Sequence, residues 1–74
     1  MAEERQHVRR RFARRCRALR KRRKLSQLDM VRHHDFSLSH YQKLERGVLD
    51  PRLSTLEKLA EAFGVSLSVL LKGV

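Results

Sequence analysis

Ser39, Gln42, Lys43 and Arg46 follow one another at i, i+3, i+4 and i+7, a spacing that aligns them along one side of a helix. Tyr41 and Leu44 fall on the other side. A hydroxyl, a carboxamide, an ammonium and a guanidinium in one row form a line of hydrogen-bonding groups of the kind that reads base edges in a major groove. Lys43 could donate to guanine O6 and N7, and Leu38, at the start of the same stretch, could pack on a thymine methyl. Catalytic and metal chemistry are poorly supported. There is no Gly-rich phosphate loop and no nucleophile with an evident base, and His7, His33, His34 and His40 follow no metal-ligand spacing. The chain is expected to be no enzyme and to need no metal or cofactor.

Charge points the same way. The chain has 74 residues and a net charge of +10. Residues 1–24 hold twelve of its eighteen Lys and Arg residues and only Glu3 and Glu4 as acids, while the remaining six basic and six acidic residues cancel. All the excess is therefore N-terminal. Such a block repels itself unless a polyanion relieves it, and each phosphate it neutralises releases condensed counterions. Arg14 and Arg15, near its middle, are expected to hold a nucleic-acid backbone. A blander reading is a solvated helix face.

The row of donors needs a scaffold, and the chain is rich in helix signals. Val8, Phe12, Cys16 and Leu19, spaced by four, four and three, form one apolar stripe that predicts a first helix over about residues 6–23, with residues 1–7 frayed or disordered. Ser26 with Asp29 reads as a capping box for a second helix, with Leu25 and Met30 as its hydrophobic staple. Ser37 caps a third with Phe36 and Tyr41 as staple, Ser54 with Glu57 a fourth, and Ser66 a fifth with Val65 and Leu70. Gly47 and Gly64 stop the third and fourth helices, and Asp50-Pro51 marks the turn between them. No strand pattern occurs. One all-α domain over residues 1–74 results, small enough that its core must be simple. A lone Cys16 allows no internal disulfide and fits a reducing, cytoplasmic setting, with the chain on the nucleoid. No apolar run reaches the roughly 18 residues of a membrane span.

His34, Asp35 and Phe36 alone separate the second and third helices, which is the turn of a helix-turn-helix over about residues 26–46. The stretch from Leu25-Ser26-Gln27 to Leu44-Glu45-Arg46-Gly47, followed by Thr55-Leu56-Glu57-Lys58-Leu59-Ala60 and Gly64-Val65-Ser66, resembles the Cro and phage-repressor type of helix-turn-helix, often called the XRE family. The resemblance covers about residues 8–72. It implies a five-helix lambda-repressor-like domain that binds duplex DNA sequence-specifically and regulates transcription. It further implies that Gln27 contacts a phosphate, that Leu38, Ser39, Gln42 and Lys43 face bases or adjoining backbone, and that Arg46 and Arg52 hold backbone. Glu45 corresponds to the family's structural glutamate, paired here with Arg20. Ser37 can add a phosphate contact to its capping role, and His40 is expected close to the backbone, so that acidification strengthens binding. Departures from the family pattern are Lys24 and Asp35 at two usual glycine positions, His34 in place of an apolar residue and Val31 in place of a small one.

One recognition helix reads few base pairs, so a homodimer through the C-terminal apolar residues Leu67, Leu70 and Leu71 is expected. Two other functions fit the residues. The arginine helix could bind DNA or RNA without sequence preference, or the module could be a protein-interaction piece of a larger regulator.

Overall fold

A computed structural model of the protein describes residues 2–74, with side chains from His7 onward. Five helices follow in order: α1 (Ala2–Arg22), α2 (Gln27–His34), α3 (Leu38–Arg46), α4 (Leu53–Phe63) and α5 (Leu67–Leu70). No strand occurs among the described residues. The expected all-α, five-helix architecture is the observed one. Helix α1 starts earlier than its apolar stripe predicts, and residues 2–7, expected to be frayed, continue it. Met1 lies outside the described residues.

Local hydrogen bonds account for most helix boundaries. Ser26 Oγ accepts from the Asp29 amide at 3.0 Å while Asp29 Oδ2 accepts from the Ser26 amide at 2.7 Å, a closed capping box. Ser37 and Ser66 cap α3 and α5 in the same sense, accepting from the amides of His40 and Val69. Ser54 does not cap α4. That helix begins one residue ahead of it, its first bond running from the Leu56 amide to the Arg52 carbonyl at 3.0 Å, and Arg52 occupies the cap position without a side-chain bond. Asp35 ends α2 in the left-handed region at φ 58°, and Lys24 takes φ 59° between α1 and α2. Both stand where the family pattern has glycine, and a side chain there costs roughly 1 kcal/mol of backbone strain.

Helix α1 packs against α3, α4 and α5 and supplies Phe12, Ala13, Cys16 and Leu19 to the interior. Met30, Phe36, Tyr41, Leu44, Leu59, Ala60, Ala62, Phe63 and Leu70 complete the buried set, and each large side chain among them contributes about 1.5–3 kcal/mol by burial. The stapling pair Phe36 and Tyr41 meets edge to face, with ring centroids 5.4 Å apart. Lys58 Nζ lies 4.3 Å from the Phe36 ring centroid and 2.7 Å from the Asp35 carbonyl, tying the turn of the helix pair to α4. Burial pushes the Cys16 thiol up to about 12, so it stays protonated and serves as a packing residue. Two expectations for the apolar residues fail. Val8 sits largely exposed at the margin of the core, and Leu70 is fully buried beneath α5, so it is unavailable to a second copy.

Candidate nucleic-acid interface

Helix α3 buries Tyr41, Leu44 and Glu45 and exposes Leu38, Ser39, Gln42, Lys43 and Arg46. The predicted donor row is thus a solvent-facing surface. Leu38 is 38% exposed, which settles it as a surface residue at the start of the helix.

A buried ion pair holds α3 in this orientation. Arg20 Nε donates to Glu45 Oε2 at 2.6 Å and Arg20 Nη2 donates to Oε1 at 3.0 Å, a fork-to-fork geometry that fixes rotation as well as distance. Arg20 Nη1 also donates to the Leu25 carbonyl at 2.9 Å, linking α1 to the entry of α2. Burial alone would push the Glu45 carboxyl up, but Arg20, assisted by Tyr41 and Gln27, outweighs it and holds the group below the ordinary carboxylate range. Burial and the Glu45 charge together push the Tyr41 phenol up, so it stays neutral. Gly47 closes α3 at φ 74°, and a Cβ there would stand 3.2 Å from the Arg10 Cα, so glycine serves both the left-handed cap and the close approach of α1.

Two open recesses flank the exposed row. On one side Arg17, Gln27, Gln42, Glu45 and Arg46 surround a cleft of about 390 Å³. Gln27 Nε2 donates to Glu45 Oε1 at 3.2 Å, which places its carboxamide at the α2 N-terminus and leaves its second N–H over. Arg17 donates to the Glu45 carbonyl. A helix N-terminus beside two guanidiniums favours an anion. On the other side His40 and Arg52 line a recess of about 340 Å³ with residues of the α3–α4 connection. Its one carboxylate, Asp50, stands 3.9 Å from Arg9, a largely solvated pair. By helical period, at about 100° per residue, the exposed Ser39 and Lys43 fall between Gln42 on one side and His40 on the other.

The structure therefore brings together Gln27, Gln42 and Arg46 at one flank and His40 and Arg52 at the other, with Ser37 at the N-terminus of α3. It does not bring Arg14 and Arg15 to either flank. Arg15 Nη2 donates to the Val69 carbonyl at 2.6 Å, and both side chains line a recess between α1 and the C-terminal end of the chain. Arg17 is the α1 residue that joins the cleft, and the sequence reading missed it. Its signal is weak but present, since Arg17 stands one helical turn before Arg20, the residue paired with Glu45.

The helix-turn-helix domain family matches residues 13–74. Over 56 residues the chain is 39% identical to the immunity repressor protein of Bacillus phage phi105, a stretch that covers 76% of this chain and 39% of that protein. The chain thus spans about two fifths of the length of the curated relative it matches. No solved structure matches it. A capped α2 and α3 joined by a three-residue turn, a forked Arg20–Glu45 lock and a family match over most of the chain lead to one assignment: the chain belongs to the helix-turn-helix domain family, of the Cro and repressor type that its sequence resembles.

Proposed function

We propose that the protein binds duplex DNA sequence-specifically as a transcriptional regulator, with α3 in the major groove. The observation that carries this reading is the placement of Ser39 and Lys43 between two flanks that each present a guanidinium, Arg17 and Arg46 on one and Arg52 on the other. A major groove is bounded by two phosphate backbones with base edges between them, and the surface has the same order. Lys43 and Ser39 are base readers, Gln42 shares itself between bases and the phosphate cleft, and Leu38 offers an apolar contact to a thymine methyl. Gln27, Ser37, His40, Arg46 and Arg52, joined by Arg17, hold the backbones. The phage repressor to which the chain is similar favours this function over an indiscriminate one.

Selection of bound duplexes from a random pool tests the proposal. A consensus is expected, and its loss in Lys43→Ala identifies the reader. Recovery of random sequence alone would overturn it. We further propose that two chains associate through the outer side of α5, where Leu67, Val69 and Leu71 are each nearly two fifths exposed. A consensus with two-fold symmetry, together with a dimer in sedimentation equilibrium, supports that arrangement. No catalytic role is proposed, and a nucleoid location in the cytoplasm follows from the DNA reading. No helix among the described residues is long and apolar enough to cross a membrane.

A further inference from the structure

Helix α1 carries cations on two sides. Arg17 faces the cleft beside α3, whereas Arg11 and Arg15 stand roughly 120° and 160° away from it around the helix at 3.6 residues per turn. On that second side Arg11, Arg14, Arg15 and Lys72 surround an open basin of about 370 Å³, with the main-chain carboxyl group of Val74 also in its lining. Arg11 Nε donates to the Val74 main-chain oxygen at 2.9 Å, and Arg15 Nη2 donates to the Val69 carbonyl at 2.6 Å. These bonds hold two guanidiniums in place at the edge of the basin, and each still has further N–H donors.

Four cations against the one carboxyl group of Val74 leave a positive excess around the recess, and an anionic occupant relieves it. Guanidiniums fixed in position suit phosphate, which they bind through paired N–H donors. A phosphodiester backbone is held by charge, which the cations around the basin supply. The row also continues along α1 to Arg22, so that Arg11 to Arg22 spans about 16 Å, long enough to follow several phosphates. Since the basin faces away from α3, a duplex seated on the recognition row does not fill it.

We propose that this basin is a second DNA-binding surface, which holds the phosphate backbone of a duplex segment other than the one under α3, so that the protein bridges two segments. The proposal rests on the reading of α3 only for the identity of the first segment.

The test captures a duplex with the selected site on beads, adds the full chain, and measures retention of a free, labelled duplex of random sequence. The wild-type protein retains it. Arg11→Gln/Lys72→Gln binds the captured site as wild type does but loses retention of the second duplex by roughly tenfold, as expected when two phosphate-facing charges go. Lys72→Glu, which disturbs no hydrogen bond of the fold, shows the same loss if the double variant folds poorly. Full retention by both variants overturns the proposal, because bridging then runs through paired copies reading one duplex each. An equal loss on the captured site also overturns it, since the basin then serves the first duplex. Retention of DNA with loss of poly-glutamate binding assigns the basin to an acidic protein and refutes it. If no consensus can be selected, the failure belongs to the α3 reading, and capture between two random-sequence duplexes still tests the basin.

Discussion

Arg20 and Glu45 join the first helix to the recognition helix by two parallel hydrogen bonds of 2.6 and 3.0 Å, and the Glu45 side chain is almost wholly buried. Glu45 lies on the inner side of α3, one residue before Arg46 and three after Gln42. The pair therefore sets which side chains of α3 face outward. Arg17 and Gln27 attach to the same residue, one at its carbonyl and one at its carboxylate, so a single glutamate organises the whole flank.

Replacing Glu45 by Ala leaves the Arg20 guanidinium without its partner in a mostly buried place. A loss of about 2–3 kcal/mol is expected, at or just below the lower limit for fully buried pairs because Arg20 keeps some solvent contact. Urea unfolding of Glu45→Ala, Arg20→Gln and the double variant measures it. Purely additive losses would mean that the two residues are uncoupled.

The same contact gives a pH dependence of definite sign. Glu45 titrates below its ordinary range in the folded chain, so its stabilisation is complete above the unfolded value of about 4.3 and disappears as pH falls through the folded value. Asp29 adds a term of the same sign, its carboxyl lowered by the Ser26 backbone amide. Melting temperature should drop on acidification below about pH 4, and Glu45→Gln should flatten part of that drop. An unchanged acid limb in Glu45→Gln would disprove the assignment.

Lys43 and Arg17 should separate choice from strength. Lys43→Ala is expected to cost about 1–3 kcal/mol on the preferred site and far less on others, relaxing the consensus at its contacted position. Arg17→Gln should weaken all sequences alike and reduce the salt slope by about one. Titrations of matched and mismatched duplexes at several salt concentrations make the comparison. Similar profiles for the two variants would contradict the placement of Lys43 between the flanks.

Lys24 adopts φ 59°, a region that glycine enters freely. Lys24→Gly should raise stability by up to about 0.5 kcal/mol, the strain removed less the extra freedom of glycine when unfolded. Thermal melts resolve a change of this size in so small a domain. A lower melting temperature would show that the Lys24 side chain contributes more than its backbone costs.

Much of the helix pattern is local, and that part is legible in the sequence. Ser26, Ser37 and Ser66 cap because the amide each accepts from lies three residues ahead, and Gly47 and Gly64 stop helices through their own φ. The Arg20–Glu45 lock and the exposed row of α3 were also legible, one through family resemblance and the other through helical period. The start of α4 escaped, since Ser54 offers a cap that the chain does not use once the Leu56 amide bonds to Arg52. The division of the arginines was beyond the sequence. They surround α1 at nearly every angle, so periodicity provides no contrast, and only the packing of α3 on one side and α5 on the other decides that Arg17 joins the cleft while Arg14 and Arg15 turn to the basin. The same packing decides Leu70, because a helix of four residues sends its one fully buried side chain into the core and leaves Leu67 and Leu71 to the surface.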